Sequence, residues 1–291
     1  MSRPPSSRPS RPTRQRPPGR GPAPSRRASG ERRDTSWEKS AAWYDRLIGE
    51  RGSDLYQQVV LPGALRLLDP RPGEQILDLG CGQGVLARRL AAARAQVTGV
   101  DAAPSLIQAA RRYRGEGAAV IDFQVRDAAD LSGLGPFDAI TAVLCLQNMA
   151  HLPEVARAAA AILKPGGRMI WVLNHPAFRI PKQTGWGFDE DRKVQYRRVD
   201  GYSAPAEIPI TMHPGQDGSE QTLSFHRSLA DLTAAGFQSG LVLSGLEEWH
   251  SHKTSQPGAR AKAENRARRE FPLFLALRWT RPPQAGQREA G

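Results

Sequence analysis

From residue 75 onward the chain alternates two kinds of apolar pattern. Short runs of four to eight apolar residues bounded by polar or glycine positions read as buried strands, and stretches with apolar residues three and four apart read as helices with one buried face. The runs Gln75 to Leu79, Gln96 to Val100, Val120 to Val125, Phe137 to Leu144 and Arg168 to Leu173 predict five strands. Between them Val85 to Ala95, Pro104 to Arg112 and Pro153 to Leu163 predict helices, two of them opened by a proline in the first turn. Strands that alternate with helices imply a mostly parallel sheet covered on both faces.

The rhythm differs at both ends of this block. Upstream, Ser40 to Leu68 predicts two helical pieces split at Gly52, with Ser53 or Asp54 capping the second and Pro62 kinking it. Downstream, Asn174 to Leu223 is rich in proline, glycine, aromatics and charge and has no sustained period, so residues 174–223 read as an inserted lid. A helix from Phe225 to Ala235 stopped by Gly236, then strands over Gln238 to Leu243 and Pro272 to Thr280, complete the pattern.

Composition separates the first 35 residues from the rest. They hold ten arginines against Glu31 and Asp34, a balance of +8 out of the chain's net +12, and almost no large apolar side chains. Such a segment has too little to bury to offset the entropy of ordering, so residues 1–35 are expected to be disordered, as are 283–291, leaving a domain over 36–282. The nearly balanced body argues against a nucleic-acid partner; nucleic acid enters only through the basic tail. The tail also has the composition of an organelle transit peptide, but its many prolines would break the amphipathic helix such a peptide needs. With Cys81 in a loop and Cys145 in a predicted strand, no disulfide framework or zinc site is expected, and a reducing cytoplasm fits best. No apolar run is long enough for a membrane span.

The first strand breaks into ILDLGCGQG, with glycines at 80, 82 and 84. A dinucleotide loop of the G-x-G-x-x-G form needs glycine at position 85, which is Val85. Asp78 beside the loop would repel phosphate and suits an ammonium or sulfonium. Asp101 ends the second strand, where a carboxylate can accept bonds from both ribose hydroxyls. Asp127 can bind an exocyclic amine and Leu144 can pack on a base, so these residues specify an adenosine without phosphates.

The segments ILDLGCGQG, VTGVDAAP, FQVRDAADL, FDAITAVLCLQNM and LKPGGRMIWV, in that order, strongly resemble the class I S-adenosylmethionine-dependent methyltransferases. The resemblance extends over residues 40–280 and implies an α/β, Rossmann-like three-layer sandwich whose seven-stranded, mostly parallel sheet has an antiparallel last strand. It implies that Asp78 and the backbone near Gly80 and Gly82 hold the methionine part of the cofactor, Asp101 the ribose, and Asp127, Ala128 and Leu144 the adenine, with Cys81 and Ala102 also in the cofactor site. Tyr44 resembles aromatic residues that small-molecule members fold over the donor. Methyl transfer releases S-adenosylhomocysteine and needs no metal.

The acceptor should sit over the carboxyl ends of the fourth and fifth strands, which places Gln147, Asn148, His151, Asn174 and His175 around it. His175 is the leading candidate base, because imidazole titrates near neutrality. Arg179 and Trp186 of the lid are candidate substrate contacts. The composite reading is a methyltransferase acting on a small molecule. Two alternatives stay open: an RNA or protein methyltransferase recruited by the tail, and a non-catalytic module that only binds the donor. Oligomeric state is left open. Arg260 to Arg269 reads as a solvated helix face rather than a phosphate contact.

Overall fold

The computed structural model describes residues 37–41, 49, 52–113, 121–211 and 221–283. The expectations for the basic tail, for Tyr44 and for residues 284–291 lie outside the described residues. A seven-stranded sheet is built from β1 (Gln75–Leu79), β2 (Gln96–Asp101), β3 (Asp122–Val125), β4 (Phe137–Val143), β5 (Leu163–Asn174), β10 (Val242–Trp249) and β11 (Phe274–Thr280), in the order β10-β11-β5-β4-β1-β2-β3. β11 runs antiparallel to both of its neighbours, and the strands from β5 to β3 are parallel. This is the expected three-layer α/β sandwich with an antiparallel last strand.

Alternation along the strands builds a core on each face. Leu77 and Leu79 of β1, Ile140 of β4 and Trp171 of β5 face α4 (Leu152–Ile162) and α5 (Leu229–Gln238). Ile76, Ala139, Ile170 and Val172 face α1 (Leu61–Leu68) and α2 (Val85–Ala92), with Ile107 of α3 (Pro104–Arg112) in the same cluster. The spacing of buried positions in α4, at 152, 155, 156, 159 and 160, is that of a one-faced helix. Ser53 Oγ accepts the Tyr56 amide hydrogen, as expected of a cap. Pro62 breaks nothing: a wide turn over Tyr56–Val60 passes directly into α1, with the proline in its first turn, where its missing N–H is tolerated.

The structure departs from the sequence expectations in the last third. Phe225 belongs to a strand, not a helix: the segment read as lid folds into two antiparallel hairpins, β6 (Thr184–Asp189) with β7 (Val194–Val199), and β8 (Ala206–Thr211) with β9 (Gln221–His226). α5 begins only after Ser228, whose Oγ accepts the Asp231 amide hydrogen while the Asp231 carboxylate accepts from the Ser228 amide. This reciprocal cap overrides the apolar spacing that favoured an earlier start. Replacing Ser228 with alanine is expected to cost about 1 kcal/mol of stability, read as a lower urea midpoint at unchanged slope.

Gly236 does not stop that helix. It lies inside it, against the fully buried Trp279; an added Cβ would fall 2.3 Å from the indole Cη2. The helix therefore continues to Gln238, and the strand expected over 238–243 begins instead at Val242. The Arg260 to Arg269 stretch forms α6 (Ala261–Glu270), with only Ala267 buried. No helix of the described residues is long and apolar enough to cross a membrane.

Candidate active site

The glycine loop leaves β1 at the carboxyl edge of the sheet. Gly80, Gly82 and Gly84 all have positive φ, at 67°, 54° and 78°, a region open to glycine at little cost. At Gly80 a Cβ would lie 2.6 Å from Cys145 Cβ and 2.9 Å from its Sγ, so the loop passes directly over the residue that follows β4. Cys145 is in that connection and not in the strand itself, contrary to expectation. Gly84 faces inward, 2.6 Å from Phe123 Cζ by the same measure, and serves helix packing.

Two carboxylates flank the loop. Asp78 is 2% exposed; its Oδ1 accepts the Thr141 hydroxyl at 2.8 Å, and its Oδ2 has no hydrogen bond of normal geometry, although the Ala87 amide in the first turn of α2 lies close to the carboxylate. Burial pushes its carboxyl up from 3.8 to about 7, against the Thr141 hydroxyl and the Ala87 amide and with help from the neighbouring Asp101 charge. Asp101 accepts the Gly82 amide hydrogen on Oδ2 and the Ala103 amide hydrogen on Oδ1, both at 2.9 Å. It ties the loop to the end of β2. Desolvation raises its carboxyl, opposed by these amide bonds.

Ala102 beside it is exposed. Asp127 follows β3, exposed, with Oδ1 accepting the Ala129 amide hydrogen, and Ala128 is buried next to it. Leu144 closes β4 with φ at 55°, held there by its amide donating to Val172 O at 2.7 Å. A left-handed leucine costs roughly 1 to 2 kcal/mol, and strain of that kind concentrates at ligand sites. The expected donor residues from Asp78 to Leu144 thus lie along one rim, at the ends of β1 to β4. Both thiols are poor nucleophiles, since burial and then the nearby carboxylates raise Cys81 and Cys145 far above the ordinary thiol value.

Beside this rim lies a cleft lined by Gln147, Asn174, Arg179, Ser224, His226 and Arg227, with Leu173, Pro176, Ile180, Pro181, Phe225 and Leu232 as apolar walls. Three of the residues expected to contact substrate, Gln147, Asn174 and Arg179, meet here. Gln147 donates to Leu144 O at 2.7 Å, leaving its buried Oε1 without a partner, and so joins the cleft to the donor rim. Asn148 is in the short turn Leu146–Asn148 but does not line the cleft, nor does His151. Trp186 is 45% exposed on β6, edge-on to Phe271 and under Arg197, away from the cleft.

His175 is also elsewhere. Its Nδ1 accepts amide hydrogens from Ala177 and Phe178, so Nε2 carries the hydrogen and donates it to Glu248 at 2.7 Å. Burial lowers its basicity, and it stacks on Phe178. Both nitrogens are spent on holding the chain where it leaves β5, which the residue type alone did not reveal.

Sequence reasoning missed His226 and Arg227 because they were assigned to a helix, and Ser224 because it fell between that helix and the segment read as a lid. The spacing of Ser228 and Asp231, a capping pair, was the signal that would have started the helix after them. His226 is 7% exposed and its Nε2 donates to Tyr202 O at 2.7 Å, which leaves Nδ1 with a lone pair. Arg227 donates to Met149 O and Ala150 O, each at 2.7 Å, and locks β9 to the loop after β4.

Known proteins resemble this chain in sequence and in fold. Residues 76–167 match the family model of a methyltransferase domain. Ubiquinone biosynthesis O-methyltransferase of Xanthomonas campestris pv. campestris (strain B100) is 40% identical over 103 residues, 34% of this chain and 42% of that protein. The protein of the same name from Xanthomonas oryzae pv. oryzae (strain PXO99A) is 34% identical over 150 residues, 49% of this chain and 62% of its own length. The chain thus spans about half the length of these relatives. The crystal structure of an S-adenosylmethionine-dependent methyltransferase from Mesorhizobium loti superposes with a TM-score of 0.60 at 24% identity, over 76% of this chain and 96% of the other; that likeness concerns the fold.

Proposed function

Starting from a chain of class I, Rossmann-like methyltransferase fold with a methyltransferase domain at residues 76–167, we propose that it transfers a methyl group from S-adenosylmethionine to a small molecule bound in the cleft beside the donor rim. The observation that carries this reading is the buried Asp78, whose Oδ2 lacks a hydrogen bond of normal geometry, at the start of a glycine loop on the rim that Gln147 joins to that cleft. A buried carboxylate lacking a partner is costly unless a ligand supplies one. The residues present fit the donor: Asp78 for its cationic end, the backbone at Gly80 and Gly82 for close approach, Asp101 for ribose hydroxyls on its remaining lone pairs, and Asp127, Ala128 and Leu144 for the base.

When bound, the donor supplies a methyl group made electrophilic by a sulfonium. What remains for the protein is alignment and, for an acceptor that carries a proton, a base. Asn174, at the end of β5, and Gln147 can orient the acceptor. The proton goes to His226 Nδ1, whose opposite nitrogen is fixed on Tyr202 O. His175 keeps a positioning role. The names of the relatives, O-methyltransferases of quinone biosynthesis, support a hydroxyl oxygen on a small molecule as the acceptor atom.

The test is to incubate the purified chain with methyl-labelled donor and separate small-molecule, RNA and protein fractions of a cell extract. Label is expected in the small-molecule fraction. Label confined to RNA or protein would overturn the acceptor class, and no label anywhere would overturn the enzymatic reading.

A further inference from the structure

Arg179 follows β5 on the turn between His175 and Ile180, with its amide donating to His175 O. Its guanidinium lies over the Phe274 ring, 5.1 Å from the centroid, and has no hydrogen-bond or ion-pair partner among the described residues. The other arginines near it are committed. Arg197 donates to Phe178 O and Thr184 Oγ1, and Arg227 to the carbonyls after β4. No Asp or Glu lines the cleft. Burial and then the like charge of Arg197 both disfavour the Arg179 cation, and nothing in the cleft compensates.

We propose that the cleft selects an acceptor bearing a carboxylate, which Arg179 receives while an apolar or aromatic body lies between the proline, leucine and phenylalanine walls. A planar guanidinium with a free edge offers two parallel N–H groups that match the two oxygens of a carboxylate. Asn174 and Ser224 belong to the same lining and can supply further hydrogen bonds to the carboxylate. A phosphate, with three oxygens and up to two charges, asks for several cations or a row of amides, whereas this cleft has one free guanidinium and apolar walls.

The inference rests on the cleft being the acceptor's, and its test reads binding rather than methyl transfer. Benzoate and phenylacetate, their neutral amides, and phenyl phosphate are titrated calorimetrically into the full chain, with and without S-adenosylhomocysteine, for wild type, Arg179→Met and Arg179→Lys. The acids are expected to bind wild type at least about ten-fold more tightly than the amides, as loss of a charge-assisted pair implies. Arg179→Met abolishes that preference and Arg179→Lys retains part of it. Neither variant changes S-adenosylhomocysteine affinity, and Arg179→Met melts no lower than wild type, because it removes a half-buried cation that nothing in the cleft compensates. Equal binding of acids and amides to wild type, binding of neither, a preference surviving in Arg179→Met, or tighter binding of phenyl phosphate would overturn the inference. Loss of S-adenosylhomocysteine binding in wild type, with the acid preference intact, would instead count against the proposed function alone.

Discussion

Replacing Asp78 with asparagine is expected to raise the stability of the ligand-free protein above pH 7 by about 1 to 3 kcal/mol, and to weaken S-adenosylmethionine binding roughly ten- to hundred-fold. The two effects share one cause. Asp78 is fully enclosed, so its ionised form is disfavoured and it titrates near 7, against 3.8 for a free carboxyl. Below 3.8 both folded and unfolded chains hold the proton and the group contributes nothing to the difference. Between 3.8 and about 7 the unfolded chain releases its proton first, so stability falls as pH rises; above 7 the penalty is complete. Asparagine removes this slope and can still accept the Thr141 hydroxyl hydrogen.

A cationic donor prefers the ionised carboxylate, so affinity for the wild type should rise between pH 6 and 8 and level off. In Asp78→Asn that rise should vanish. Thermal melts of both proteins across pH, with calorimetric titration of the donor at each, measure the two slopes. A variant that melts no higher than wild type at pH 8 and binds donor with the same pH dependence would remove Asp78 from the site.

Gly80→Ala should be damaging in a different way, lowering stability by about 2 to 4 kcal/mol and abolishing measurable donor binding. The left-handed φ of 67° costs alanine roughly 1 kcal/mol. The larger part comes from Cys145 and Met149, whose side chains occupy the space at 2.6 Å and 3.3 Å from the new Cβ. Either the loop or the connection after β4 must shift, and both belong to the proposed donor rim. Chemical unfolding reads the stability change. The double variant Gly80→Ala with Cys145→Gly, which removes the obstructing Cβ and thiol, should recover part of the loss relative to Cys145→Gly alone. No coupling between the two positions would show that the strain lies in the backbone only.

The proposed donor rim was legible in the sequence because the elements that build it are local. A strand's period of two, a helix's period near four and a glycine loop at a strand end are each set within about ten residues. The order of these pieces fixed a parallel sheet, and the sheet brought Asp78, Asp101, Asp127 and Leu144 to one rim without further information. Val85 in place of a third dinucleotide glycine argued against pyrophosphate, and Asp78, Asp101, Asp127 and Leu144 turned the reading toward a nucleoside with a positive sulfur.

The cleft was not legible in the same way. Its walls come from the loop after β4, the turn after β5 and strand β9, and Arg227 reaches carbonyls 77 to 81 positions away. Whether Phe225 and His226 lie on a strand or a helix depends on pairing with Glu207 and Ala206 and on the cap at Ser228, not on their own spacing. The same limit applies to His175: a sequence names the imidazole but not which hydrogen bonds its two nitrogens make. By itself the sequence determined the sheet, the loop and the kind of ligand they suit. Tertiary structure alone decided which side chains share the cleft and which of its arginines has no partner among the described residues, because contacts between distant segments are set by the packing of whole hairpins and helices and leave no period in the chain.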